Sequence, residues 1–364
     1  MVFNIIQSKY QKTKVFYKKY ESWVLPALIL WGFIYHYITF KVIPITDVLY
    51  LVFGYLTLAT LTILFMHIYD MGKITQYLRY VRLFAPLLLQ FALGSVIGGV
   101  FIFYWFSGSI FDSWPFILFV IVLIISLEIY KHYLENPIVQ FGLYNFAAFL
   151  LLAVALPYLF TSIDIGWFIA AGWISFFLVL ALVFLLRHSP SIAGRKYRIL
   201  MACFLILVAM NIFYFYNFIP PVPLSIRDIG VYHSVTRAGS GYIVQAEEQT
   251  FWQHWSFVPT MHLLAGQSAD VFLAIYSPTN LDTEIIQDWQ YYDAGQGKWI
   301  SEARPSFHLI GGRQEGYRGY SIKSSPSAGK WRVYTETPRG QILGRYQFNV
   351  EIVNELPPLV QEIK

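Results

Sequence analysis

The chain is poor in two things that most soluble enzymes have. It carries one cysteine in 364 residues, and its charged residues amount to 13%, where ordinary soluble domains approach a quarter. A lone Cys203 excludes an internal disulfide framework and thiolate metal clusters. Because Cys203 falls in an apolar stretch, the polar C-terminal part has to fold on its own core. There is also no Gly-x-Ser-x-Gly elbow, no His-Glu-x-x-His and no phosphate loop, so no hydrolytic, zinc-dependent or nucleotide chemistry is written in local spacing and no cofactor or metal is called for. The net charge of +5 is not a nucleic-acid surface: residues 1–217 hold 14 Lys and Arg against 7 Asp and Glu, whereas 218–364 hold 12 against 14. The basic excess sits beside apolar stretches, as at a membrane surface.

What the chain has in abundance is apolar length, with 57% hydrophobic and 19% aromatic residues. Seven stretches are long enough to cross a bilayer: Val24–Phe40, Val48–His67, Leu83–Phe106, Trp114–Tyr130, Ile138–Phe160, Ile165–Leu186 and Ile199–Phe218. At 1.5 Å rise per residue each approaches a hydrocarbon core of about 30 Å. After Phe218 the sequence turns polar and its period changes to two. The expected organisation is a basic arm (1–23), a seven-helix transmembrane domain (24–218), a Pro-rich linker (219–226), an extracytoplasmic β-domain (227–353) and a tail (354–364).

Loop charge sets the orientation, since cytoplasmic loops retain Lys and Arg during insertion. Lys9, Lys12, Lys14, Lys18 and Lys19 precede the first stretch, Lys73, Arg79 and Arg82 follow the second, Lys131 the fourth, and Arg187, Arg195, Lys196 and Arg198 the sixth; Lys41 alone falls on the other side. This predicts a multi-pass protein of the cytoplasmic membrane with its N-terminus inside and the C-terminal domain outside. The arm Phe3–Ser22 reads as a topology signal or an interfacial helix, and the first stretch as a retained signal anchor.

Polar residues in the apolar part are few. His36, between Tyr35 and Tyr37, fits an interfacial belt; His67 with Asp70, and Glu128 with Lys131, read as caps at span ends. Gln90, Asn145 and Asn211 suit helix-to-helix hydrogen bonds, and Gly94 with Gly98 forms a small-residue packing face. No span holds two carboxylates, which leaves a transporter or flippase-like reading as an alternative without coupling groups. No internal Lys in the last stretch excludes a retinal Schiff base.

Beyond the stiff exit Pro220-Pro221-Val222-Pro223, alternation marks strands. Tyr242, Val244 and Ala246 alternate with Ile243 and Gln245; Trp331, Val333 and Thr335 with Arg332, Tyr334 and Glu336; Tyr346, Phe348, Val350 and Ile352 with Arg345, Gln347, Asn349 and Glu351; Val271–Tyr276 is apolar throughout. Turn sequences around Pro278, Gly295, Pro326 and Gly340 separate them. Seven or eight such strands predict an all-β, antiparallel, immunoglobulin-like sandwich, with a jelly roll as the other option.

Within this part, Gly311-Gly312-Arg313, Tyr317-Arg318-Gly319-Tyr320-Ser321-Ile322-Lys323, Gly329-Lys330-Trp331-Arg332-Val333 and Gly340–Arg345 resemble the C-terminal extracytoplasmic domain of an uncharacterised bacterial family of polytopic membrane proteins. The family's His-x-Trp strand is matched by the segment around Trp289, with Gln287 or Asp288 where the histidine is expected. The resemblance covers roughly residues 230–350 and implies a domain of unknown function, with no established activity.

Arg313, Tyr317, Arg318, Tyr320, Lys323, Arg332 and Arg345 form the candidate ligand-binding set, since guanidinium groups beside aromatics suit carboxylate, phosphate or sugar rings. The competing reading makes Trp289, Trp299 and Trp331 core residues and the arginines solvated strand faces. Partners expected on these grounds are the bilayer itself and an envelope glycan, an anionic lipid or a membrane protein; nucleic acid is not among them, and the oligomeric state is open. An envelope hydrolase or transferase is the weaker reading, built from His233, His254, His262, His308, Asp270 and Asp288. The function expected is therefore sensing or scaffolding by a membrane-anchored β-domain.

Overall fold

A computed structural model describes residues 31, 34, 45–73, 78–107, 110–129, 134–222, 224–239, 241–248, 258–277, 282–310 and 317–364. The basic arm, all of the first apolar stretch but Trp31 and Ile34, His36, Lys131, His254 and the Gly311-Gly312-Arg313 element lie outside the described residues. The chain divides into a helical unit and a β unit.

The helical part contains α1 (Ile45–Asp70), α2 (Arg79–Ser107), α3 (Ile110–Ile129), α4 (Pro137–Phe160), α5 (Ile165–Leu185), the single turn α6 (Pro190–Ala193) and α7 (Lys196–Phe215). Five of them contain stretches long and apolar enough to cross a membrane: Thr46–Asp70, Arg79–Trp105, Pro137–Phe160, Ile165–Leu185 and Lys196–Phe215. The count of seven is not reached among the described residues. The first expected span lies outside them but for Trp31 and Ile34, and the fourth coincides with α3, whose described apolar segment is Asp112–Leu123.

α4 is buried continuously from Gln140 to Pro157, so it is the inner helix of its unit. By contrast α5 and α7 expose Phe177, Phe184, Met201 and Leu205, an apolar outer surface that water would penalise and lipid would not. Asp164 caps α5, its carboxylate accepting from the Gly166 N–H at 2.6 Å, which satisfies one of the orphan donors of a helix start.

Twelve strands make up the β unit among the described residues: β1 (Ser225–Tyr232), β2 (Ser234–Ala238), β3 (Gly241–Glu247), β4 (Thr260–Leu263), β5 (Ala269–Tyr276), β6 (Asp282–Asp293), β7 (Lys298–Ala303), β8 (Ser306–Ile310), β9 (Tyr317–Lys323), β10 (Gly329–Glu336), β11 (Ile342–Ile352) and β12 (Leu359–Ile363). They form three sheets, β1-β5-β9, β4-β11-β10-β6-β7 with β8 also on β6, and β12-β3-β2. The two-sheet, wholly antiparallel expectation is corrected on two points. β4 runs parallel to β11, Thr260–Leu263 against Asn349–Ile352, and a third sheet exists. That sheet was hidden because β12 follows Pro357-Pro358 without clean alternation and every one of its residues is exposed; the expected tail 354–364 thus supplies a strand, and the expected linker supplies the first residues of β1.

The middle sheet is covered on both faces. Ala269, Val271, Leu273 and Ile275 of β5 join the clusters built with Trp289, Trp331, Val333, Phe348 and Ile285 of the six-stranded sheet, whereas Phe272 and Ala274 pack with Val235 and Val244 of the third sheet. This is why Val271–Ile275 reads as unbroken apolar sequence: a strand with two buried faces has no polar side to alternate with. Trp289 and Trp331 are fully buried and meet edge to face at 6.5 Å. The Trp289 indole N–H donates to Ser321 Oγ at 2.8 Å and that of Trp331 to the Ser327 carbonyl at 2.8 Å, so both rings are buried without an orphaned donor. The Gly before Trp331 in the Gly-x-Trp element has a physical cause: Gly329 has φ +135° and a Cβ there would meet the Tyr291 ring at 2.9 Å.

One polar pair interrupts this core. Gln287 and Thr335, register partners on β6 and β10, are fully buried, and neither the Gln287 amide atoms nor Thr335 Oγ1 has a hydrogen-bond partner. They separate the Trp289 cluster from the Ile285 cluster. Buried polar groups without partners cost about 1–3 kcal/mol each, so the double substitution Gln287→Met, Thr335→Val is expected to raise the thermal midpoint of the β unit by several degrees. An unchanged or lowered midpoint in differential scanning calorimetry would show that these groups are satisfied.

Candidate functional site

β10 presents Trp331, Val333 and Thr335 to the core, so Lys330, Arg332 and Tyr334 project from the opposite face. Register places Arg332 beside Gln290 of β6 and Gln347 of β11, and Tyr334 beside Asp288 and Arg345. The outer face of the six-stranded sheet therefore carries a mixed basic and aromatic patch.

Arg332 is its centre. Its Nε donates to Gln290 Oε1 at 2.8 Å, and its guanidinium carbon lies 4.2 Å from the Trp299 ring centroid and 4.9 Å from that of Tyr334. Trp299 in turn packs on Tyr292 at 5.1 Å, over which the Lys330 ammonium lies at 5.8 Å. Asp288 accepts from Gln290 Nε2 and Ser301 Oγ, fixing the amide that orients Arg332. Burial lowers the Arg332 pKa from its ordinary value, with Tyr334, Arg345, Asp112 and Asp288 as secondary influences; a guanidinium remains charged at neutral pH all the same. A planar cation stacked on aromatics is suited to a carboxylate or phosphate.

The residues singled out in the sequence do not form one strip. Arg332 and Arg345 share the face just described. Tyr317, Arg318, Tyr320 and Lys323 lie on β9, in the middle sheet, and alternate between its two sides. Tyr317 stacks on Phe307 at 5.8 Å, and Lys323 pairs with Glu302 at 2.8 Å. Arg318 donates from Nη1 to the Lys364 carbonyl at 3.4 Å, while Tyr320 meets the Tyr242 ring at 6.0 Å. Arg313 is outside the described residues. Strand alternation could not reveal this division because it depends on β9 and β10 belonging to different sheets. Of the three tryptophans, Trp289 and Trp331 are core and Trp299 is the half-buried platform under Arg332.

In the helical unit Gly98 is buried and Gly94 half-buried on α2. His67 and Asp70 do not act as a pair. Asp70 takes Arg82 in a two-point contact, 2.9 Å at each oxygen. His67 is buried, with Nε2 facing Gln140 Oε1 at 2.8 Å and Nδ1 facing the hydroxyls of Ser191 at 3.1 Å and Ser189 at 3.3 Å. This network joins α1, α4 and the α6 turn. Asn145 donates to the Cys203 carbonyl at 3.2 Å, linking α4 to α7, and Asn211 donates to the Leu207 carbonyl of its own helix at 2.8 Å. Gln90 is buried with its amide nitrogen unpaired.

A second polar cluster lies at the third sheet. Glu247, near the end of β3, accepts from His233 Nε2 at 3.1 Å, from His262 Nδ1 at 2.8 Å and from the His262 backbone N–H at 2.6 Å. Both histidines were visible as candidates; Glu247 was not, because a single glutamate in a strand pattern has no local signature. His308 is exposed on β8, in register with Glu284. Asp270 accepts from the Val235 N–H at 3.0 Å, and its burial raises its pKa. No three His, Cys, Asp or Glu side chains are placed to hold a metal ion among the described residues.

The class thus defined is a helical unit with five membrane-length apolar helices followed by a β-rich domain. Within that domain, residues 282–350 match a family model described as "Protein of unknown function (DUF2914)". The match runs from β6 through most of β11 and so contains every residue of the Arg332 patch, but none of the Glu247 cluster. A comparison with curated proteins gives no match. Among solved structures, the chain is similar to an immunoglobulin-like protein from Pseudomonas aeruginosa at 12% identity, covering 36% of this chain and 98% of that one, with a TM-score of 0.20. It is also similar to a β-glucosidase from Listeria innocua at 13% identity, covering 31% and 17%, with a TM-score of 0.18.

Burial alone would raise the Glu247 pKa, but its hydrogen bonds from His233 and His262 outweigh burial and the net shift is downward. A carboxylate with a depressed folded-state pKa adds stability that is complete above its unfolded value, about 4.3, and disappears as pH falls through the folded value. The wild-type β unit should therefore lose urea resistance below about pH 4 more steeply than Glu247→Gln. Parallel curves would remove Glu247 as an acid-sensitive clamp.

Proposed function

We propose that the chain is an integral protein of the cytoplasmic membrane whose C-terminal β-domain faces outward and binds an anionic envelope component, as a sensor or scaffold. The observation that carries this reading is the Arg332 patch: a guanidinium oriented by Gln290, stacked on Trp299 and Tyr334, next to Arg345, on a face not used for the core. The location of this patch within the family-matched segment supports assigning it to the domain's common role. The apolar helices support membrane residence, and the excess of Lys and Arg in alternate loops supports an outward β-domain.

The ligand chemistry favoured is a carboxylate- or phosphate-bearing group, as on an acidic glycan or an anionic headgroup. Detergent-solubilised full-length protein should bind immobilised acidic polysaccharide or phosphatidylglycerol vesicles in a salt-sensitive manner. Arg332→Ala with Arg345→Ala should weaken that binding by about tenfold or more, each charge-assisted hydrogen bond being worth roughly 1.5–3 kcal/mol. Arg318→Ala, on a different sheet, should not. Equal binding by all three proteins would end the patch hypothesis. For orientation, protease added to intact spheroplasts should remove the β-domain; protection until lysis would invert the topology.

A further inference from the structure

The outer face of the six-stranded sheet is more than a group of cations, because strand register arranges its side chains in three cross-strand rows. In the first, Trp299 of β7 stands beside Tyr292 of β6, whose ring underlies the Lys330 ammonium, and Lys330 of β10 stands beside Asn349 of β11. The second runs through Ser301, Gln290, Arg332 and Gln347, and the third through Asp288, Tyr334 and Arg345. With about 4.8 Å between strands and about 3.4 Å per residue, the rows cover about 14 Å in each direction. A surface of that extent exceeds one charged headgroup and suits a chain of linked rings.

The hydrogen-bonding capacity left on this face points the same way. Gln290 is spent at both ends, its Oε1 accepting from Arg332 and its Nε2 donating to Asp288, and the Ser301 hydroxyl also donates to Asp288. Gln347 and Asn349 differ. Both are half-buried on the outer side of β11, and neither side-chain amide makes a hydrogen bond among the described residues. An amide offers N–H donors and an oxygen acceptor together. A phosphate or carboxylate only accepts, and would leave both amide oxygens unmatched. Sugar hydroxyls donate and accept, and match them.

The aromatic side chains agree with this. Trp299, Tyr292 and Tyr334 are half-buried, so each keeps part of its surface accessible. Such side chains combine an apolar ring with a polar tip, as a pyranose combines a C–H face with a hydroxyl edge. Arg332 lies against two of these rings, at 4.2 Å from Trp299 and 4.9 Å from Tyr334, where it complements a carboxylate borne on the sugar itself.

We infer that this face binds a polysaccharide containing hexuronic acid, with carboxylates at Arg332 and Arg345, hydroxyls at Gln347 and Asn349, and ring faces against the aromatic side chains. Such a glycan is one case of the anionic ligand proposed above and depends on that reading. A phospholipid headgroup brings the charge but not a run of linked, hydroxylated rings.

Full-length protein in detergent would be titrated calorimetrically at neutral pH with a linear hexamer of galacturonic acid, with galacturonic acid itself and with phosphatidylglycerol vesicles. The hexamer is expected to saturate and to bind at least about tenfold more tightly than the monomer, because it engages several rows at once. Gln347→Ala with Asn349→Ala should weaken hexamer binding by about tenfold through the loss of neutral hydrogen bonds, with the thermal midpoint close to that of wild type. The hexamer-to-monomer ratio is read on wild-type protein and decides the matter if that variant does not fold. The glycan is overturned if the hexamer does not saturate at millimolar concentration, if the monomer binds as tightly, or if the folded double variant matches wild type. Should the hexamer fail, vesicle binding that is lost in Arg332→Ala keeps the anionic-ligand reading and assigns it to lipid, whereas no binding of either probe removes that reading as well.

Discussion

The β unit is organised by the burial of one strand on both sides. β5 has a large sheet against one face and a small sheet against the other, and seven of its eight residues are buried. A strand in that position must be apolar or satisfy each polar group locally, and β5 is apolar apart from Asp270 and Tyr276: Asp270, its one charged residue, is tied to the backbone of β2. The other layers follow from this. The six-stranded sheet supplies the aromatic wall of the larger core, and the third sheet covers Phe272 and Ala274.

With the middle sheet covered, chemistry is displaced to the remaining surfaces. The six-stranded sheet keeps a clean division, tryptophans and aliphatics inward, arginine, glutamine and tyrosine outward, so a planar cation can be held rigidly above a packed core. At the third sheet the core is thinner, and three histidine and glutamate side chains bridge what apolar contact does not. Two regions of opposite electrostatic character therefore occur in one domain, one made by strand alternation and the other by the joining of distant segments.

Much of this was legible in the sequence. Apolar stretches of membrane length need no partner to be recognised, and α1, α2, α4, α5 and α7 fall close to the expected stretches. The alternation of β10 and β11 gave their inward and outward faces because each has one wet side. What could not be read was anything requiring knowledge of neighbours. β9 alternates as β10 does, yet belongs to another sheet, which divided the expected arginine strip. β12 carries no periodic signal because none of its residues is buried. Glu247 gains its role only when β3, β4 and the junction of β1 with β2 converge, and Gln287 with Thr335 looked like ordinary alternation until both proved to point inward.

β12 also has a meaning for biogenesis. Gln245 through Gly241 of β3 pair on one side with β2, and Glu247 through Ile243 pair on the other with Leu359–Ile363, so the ladder of β3 is completed by a strand that is made after every other strand of the unit among the described residues. Until those residues are synthesised, the small sheet ends in a bare hydrogen-bonding edge beside an apolar surface, a template that another strand could occupy. A growing chain tethered to a bilayer by its helices would hold such edges from neighbouring copies close together. The late strand therefore acts as a seal, and nascent chains are most prone to cross-pairing in the interval before it arrives.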